Sequence, residues 1–182
     1  MTEILMVTLI LGIVAAFAYP AFSSWIPSYS LRSAAKDLYA NLHLAKGGAI
    51  KTNRPWAVIF DPSVKPGRYF ICSDDRGNGW DGPPEMGGND RAEVTVRLAN
   101  YKGDVDFGHG EATKSIVGGA FPPDNMTYTN SPNAAVFNAD GTTPILGYVY
   151  LSNRNRESFG MGTPVNAGVV VLKRWTDGEW KE

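Results

Sequence analysis

The chain is poor in the residues that carry chemistry. It has one cysteine, Cys72, and two histidines, His43 and His109, in 182 residues. A lone cysteine excludes an intramolecular disulfide framework and a paired-cysteine zinc site. No phosphate-binding glycine loop and no nucleophile elbow occurs. His43 falls in a helical pattern and reads as a helix-surface residue. His109 stands between glycines with Glu111 nearby, and a lone His-x-Glu is no catalytic constellation. The expectation is therefore no enzyme activity, no cofactor and no metal centre. An excess of charge is missing too: 17 basic and 18 acidic side chains leave a net charge of -1. That excludes a protein whose bulk surface is built for nucleic acid.

The most telling absence is local. Residues 4–31 contain no charged side chain, and 4–22 is nearly continuous Leu, Ile, Val, Ala, Met and aromatic. A helix needs about 20 such residues to cross the hydrocarbon core of a bilayer. A cleavable secretory signal would open on basic residues, yet the only charge before the run is Glu3. An ordinary single-span anchor accounts for the hydrophobicity but not for Glu3 or Pro20. A carboxylate at the lip of a membrane helix is costly to bury and usually has a partner. In a bundle of identical helices, the α-amino group of a neighbouring copy is the nearest cation.

The segment Gly12-Ile13-Val14-Ala15-Ala16-Phe17-Ala18-Tyr19-Pro20, with Glu3 upstream, resembles the closing part of the N-terminal signature of type IV pilins and pseudopilins. Aligned on Gly12 and Pro20, the chain lacks two residues at the front of that signature, including the aromatic residue at which the family is processed. The resemblance implies a structural subunit that enters the inner membrane by its apolar helix, with its body on the periplasmic side. It also implies self-association, or association with related pilins or pseudopilins, in a helical filament. An assembly platform protein, an assembly ATPase and a prepilin peptidase are implied as partners, with N-terminal methylation. Glu3, Gly12 and Pro20 are the assembly residues under this reading: Glu3 neutralises a neighbour's N-terminus, while Gly12 and Pro20 weaken the helix.

Beyond Pro27 the pattern becomes amphipathic. Leu31, Ala34, Ala35, Leu38, Leu42, Ala45 and Ala49 recur at helical spacing, with Arg32, Lys36, Asp37, Asn41, Lys46 and Lys51 largely between them. A continuous helix to about residue 52 would be roughly 70 Å long. The segment 33–55, with Leu44-Ala45 and Ala49-Ile50-Lys51 before the turn at Asn53-Arg54-Pro55, is similar to that of GspH/FimT-type pseudopilins. Its implied division is a filament-core helix at 1–28, an amphipathic continuation at 29–53 and a β-rich body at 54–182.

In the body the period shifts towards two, and most of the 20 glycines and 12 prolines fall there. Strands are expected near 56–60, 68–72, 93–99, 135–138, 146–151 and 168–175, with a turn at Asp140-Gly141. The fold class is α+β: a long helix packed on an antiparallel sheet. Long loops are expected at 74–90 and 103–133. In the first of these, Asp74, Asn78 and Asp81 partly match the spacing of a calcium loop, although Arg76 occupies a ligand slot. Arg154, Arg156, Lys173 and Arg174 are the candidate contacts for DNA phosphates if the chain is instead a FimT-like minor pilin that takes up DNA; Glu157, Asp177, Glu179 and Glu182 dilute them.

Overall fold

The computed structural model describes the backbone of residues 2–74 and 76–182, and the side chains of all of these but 5, 15–24 and 74. Pro20 and Asp74 therefore lie outside the described side chains. One helix, α1 (Thr2–Thr52), runs ahead of the whole body. Glu3 in its first turn and Lys51 in its last suit the helix dipole. The helix stops where Asn53 takes a left-handed conformation (φ 52°) and the Arg54 amide reaches back to the Ala49 carbonyl at 3.3 Å. Pro55 follows and cannot continue it.

Nine strands follow in the described body: β1 (Trp56–Asp61), β2 (Arg68–Asp74), β3 (Arg91–Arg97), β4 (Asp106–Phe107), β5 (Ala134–Phe137), β6 (Gly147–Ser152), β7 (Ser158–Thr163), β8 (Val171–Thr176) and β9 (Glu179–Lys181). They form two antiparallel sheets rather than the single one expected, ordered β3-β2-β1-β5 and β4-β6-β7-β8-β9. The turn after β5 sends the chain from one sheet to the other. There Gly141 is left-handed (φ 80°), and the Asp140 carboxylate accepts from both the amide (2.9 Å) and the hydroxyl of Thr142. The sequence predicts a turn at that point, but its geometry leads to a crossover, not a hairpin.

The amphipathic stripe of α1 is the spine of the core. Leu31, Ala35, Leu38, Leu42, Ala45 and Ala49 are fully buried, against Val58, Phe60, Tyr69, Ile71 and Phe137 of the first sheet and Val149, Leu151 and Met161 of the second. Small residues at 34, 35, 45 and 49 let the helix approach both sheets closely, and the leucines fill the seam between them. Three polar ties fix its rotation. Asn41 donates to the Tyr69 hydroxyl (2.9 Å), the Tyr101 hydroxyl donates to Asp37 (2.7 Å), and Lys46 donates to the Gly168 carbonyl (3.0 Å).

Strands β1, β2 and β5 of the first sheet are buried on both faces. Ala57, Ile59, Phe70, Cys72, Ala134 and Val136 form a second apolar cluster, roofed by Trp80 and Met86 and flanked by Ala92 of β3. The 76–90 loop therefore has a packing role. Its shape is held by Asp90, which accepts from the Asp81 amide at 3.0 Å and the Gly82 amide at 2.6 Å. Burial under this roof, with smaller contributions from Asp90, Glu85 and Glu93, pushes the Cys72 thiol up to about 12. Alkylation of Cys72 by iodoacetamide at pH 8 is expected to be slower in the folded chain by on the order of a thousandfold. Equal rates in folded and denatured protein would show that the roof is open.

Candidate assembly surface

Along its described side chains the free half of α1 is an apolar rod. Ile4, Met6, Val7, Leu9, Ile10, Leu11, Ile13 and Val14 are all more than half exposed, as are Trp25 and Tyr29 further along. A water-exposed stretch of this kind needs a lipid or protein partner. A side chain added at Gly12 would meet nothing within 4 Å, so that position presents a flat notch to whatever covers the rod. Thr8, the one polar residue in this stretch after Glu3, bonds back to the Ile4 carbonyl at 3.0 Å and so hides its hydroxyl. Glu3 is exposed in the first turn. Among the described residues no helix is long and apolar enough to cross a membrane; residues 15–24 of the apolar run are outside that description.

Where the rod meets the body, two loops close on it. Gly103 lies against Pro27: a Cβ there would stand 2.5 Å from the Pro27 Cα, and the backbone is left-handed (φ 83°). The Arg154 amide donates to the Gly103 carbonyl at 3.0 Å, joining this loop to the β6–β7 turn. From that turn Asn155 donates to the Ser28 hydroxyl at 3.3 Å. Gly103→Ala should cost about 2 kcal/mol or more, from strained φ and a backbone clash together. Denaturant unfolding of the body measures it; unchanged stability would mean that the loop does not close on Pro27.

The candidate DNA contacts do not form one patch. Arg154 and Arg156 sit in the β6–β7 turn, Arg154 3.8 Å from Asp104. In β8 the register places Arg174 beside Phe159 and Lys173 beside Gly160, on opposite faces of the sheet. Arg174 points to the helix side, pairing with Glu157 at 2.9 Å with its guanidinium 5.9 Å from the Phe159 ring centroid. Burial alone would raise the Glu157 carboxyl, but bonds from Ser28, Asn153 and Arg174 outweigh it and hold it low. Of the calcium candidates, Asn78 and Asp81 bond to each other at 2.8 Å, and the other Asp81 oxygen takes the Asn89 amide at 3.0 Å. Among the described residues no group of three or more acidic, histidine or cysteine side chains gathers to hold a metal.

The remaining suspects read as structure. His109 stacks on Phe121 at 4.2 Å, and its Nδ1 lies 3.1 Å from the Ala112 carbonyl. Phe121 meets Tyr150 and Tyr150 meets Trp180, whose indole donates to the Lys114 carbonyl at 2.8 Å. This aromatic chain clamps the 108–121 loop to the outer face of the second sheet. A hollow of about 880 Å³ opens beside the β1–β2 turn, but its polar walls are largely committed to one another. Asp124, for example, takes the Met126 amide and the Asn133 side chain, and Asn130 takes the Ala134 amide.

Reading the sequence residue by residue missed Trp25 and Tyr29, whose rings stack at 5.3 Å. Aromatics at i and i+4 just past an apolar run are the signal that marks them. It also missed the buried pair Asp61–Arg68, at 2.8 Å, because partners seven residues apart share no local motif.

A model of the family "Type II transport protein GspH" matches residues 34–172, about three quarters of the chain. Comparison with curated proteins and with solved structures gave no match. The matched span covers the buried stripe of α1 from Ala34 onward, strands β1 to β7 and the first two residues of β8. The chain belongs to the GspH family of type II transport proteins.

Proposed function

We propose that the chain is a structural, non-enzymatic subunit of a type II secretion pseudopilus or a closely related pilus-like filament. The observation that carries this is the division of α1. One half is buried as the spine of the body, while the other projects an exposed apolar surface. A monomer in water has no use for that surface. A bilayer before assembly, and a bundle of sister helices after it, would each cover it.

In this reading 1–28 is the membrane and filament-core helix, 29–53 its amphipathic continuation, and 54–182 a periplasmic or surface body. Glu3 would neutralise a neighbour's α-amino group, Gly12 would let a sister helix approach, and Pro20 would mark a point where the helix can yield. Related pseudopilins, an assembly platform protein, an assembly ATPase and a prepilin peptidase would be its partners. Electron microscopy of sheared filaments, with mass spectrometry of their subunits and N-termini, tests the proposal. The chain should be found in the filament fraction with α1 retained; recovery solely as a helix-free soluble monomer would contradict it.

The alternative is a minor pilin that captures DNA through Arg154, Arg156, Lys173 and Arg174. The separation of Lys173 from Arg174 and the acidic partners of Arg154 and Arg174 count against it. Salt-dependent binding of duplex DNA, lost on replacing Arg154 and Arg156, would revive it.

A further inference from the structure

The two loops that close on α1 at Pro27 and Ser28 bring a set of cations to one level of the helix. Lys102 flanks Gly103, and Arg154 and Arg156 flank Asn155, all on exposed positions. Arg32 is exposed one turn above Ser28 and lines a cleft of about 190 Å³ with Trp25, Tyr29 and Arg174. The acids at this level are Asp104, Glu157 and Glu111. Asp104 and Glu157 are engaged with Arg154 and Arg174. Glu111 is exposed, its amide bonded to the Arg156 carbonyl at 2.8 Å. Among the described residues, Arg32, Lys102 and Arg156 have no carboxylate within ion-pair distance. Cations outnumber acids here, although the chain as a whole carries -1.

At this level and just below it lies the exposed Trp25–Tyr29 stack, each residue 60% exposed. Tryptophan and tyrosine favour the boundary between hydrocarbon and headgroups. From Trp25 to Ser28 the axis rises about 4.5 Å, and to Arg32 about 10 Å. One headgroup layer is roughly 5–8 Å thick. With Trp25 at the hydrocarbon boundary, the two loops fall among the headgroups, and Arg32 reaches down to them along its aliphatic stem.

We propose that loops 102–104 and 153–157, with Arg32, form a basic collar that seats the body on anionic phospholipid headgroups around the emerging helix. The proposal rests on the reading of α1 as a membrane anchor. The partner is the bilayer rather than DNA, because these cations flank the root of the helix beside interfacial aromatics, where a duplex would have to displace lipid.

The test uses the full chain in lipid nanodiscs, either of phosphatidylcholine alone or with about 30% phosphatidylglycerol, an anionic fraction that gives a negative surface potential. Amide hydrogen exchange of 102–104 and 153–157 is followed by mass spectrometry. Exchange is expected to slow on the order of tenfold in anionic discs only. The effect should vanish in about 0.5 M NaCl, where screening shortens the reach of charge. It should also vanish in the variant K102Q/R154Q/R156Q, whose exposed positions leave the core untouched. Co-elution with both discs but identical exchange overturns the collar and leaves the anchor standing. Failure to co-elute with either disc overturns the anchor, and the collar with it. Slowing by added duplex DNA in neutral discs, with none in anionic discs, overturns the proposal in favour of nucleic acid.

Discussion

Glu3→Ala is expected to lower incorporation into filaments by on the order of a hundredfold, with the body as stable as before. A carboxylate paired with an ammonium between packed apolar helices is a buried ion pair, and removing one member leaves the other uncompensated. That costs about 3–5 kcal/mol, and each 1.4 kcal/mol is about a factor of ten. The body should not respond, because Glu3 precedes Pro27 by more than six helical turns, roughly 36 Å. Filament yield by immunoblot of sheared fractions, beside denaturant unfolding of the same variant, separates the two effects. A normal filament yield would remove Glu3 from the assembly contacts.

Asp61→Ala is expected to destabilise the body by about 3 kcal/mol. Asp61 is 2% exposed in its side chain and Arg68 15%, and they meet at 2.8 Å. Arg68 also donates to the Glu85 carbonyl at 2.9 Å and lies over Phe70, so it stays in place when its partner is removed. Its charge would then sit largely buried with no carboxylate against it. Burial alone would raise the Asp61 carboxyl, but bonds from the Ser63 hydroxyl, the Arg68 guanidinium and the Ser63 amide outweigh it and hold the group below the usual carboxylate range. The depressed folded value fixes the sign of the pH effect. The contribution is full above the unfolded value, near 4, and is lost as pH falls below that towards the folded one. Unfolding free energies at pH 7 and pH 3 should therefore differ less in Asp61→Ala than in the parent. An equal pH dependence in both proteins would show that the pair carries none of it.

What could be read from the sequence follows from range. The α1 stripe is legible because i, i+3 and i+4 apolar spacing is a local signal, and every stripe residue from Leu31 to Ala49 is buried. Strands β1, β2, β5 and β6 are legible through β-branched and aromatic runs ended by Gly, Pro, Asn and Asp. Strand β7, Ser-Phe-Gly-Met-Gly-Thr, is not, because Gly160 and Gly162 read as breakers. They are required by contacts made far away in the chain. A Cβ on Gly162 would stand 2.0 Å from the Gly147 carbonyl oxygen, and one on Gly160 would stand 2.5 Å from Ile116. The short β4 and β9 carry too few residues for a pattern. The division into two sheets rests on the Asp140 crossover, whose direction no dipeptide encodes. For the site, the apolar run and Glu3 are visible in sequence. The meeting of loops 102–104 and 153–157 at Pro27 and Ser28 is a tertiary fact.

The most direct test of the filament account is oxidative cross-linking in the cell envelope of a chain carrying Leu9→Cys. Native Cys72 is buried and does not compete. Disulfide-linked dimers between copies, dependent on Leu9→Cys and on the assembly machinery, are the expected result. A chain that stays wholly monomeric under oxidation, while present in the membrane at normal level, would contradict it.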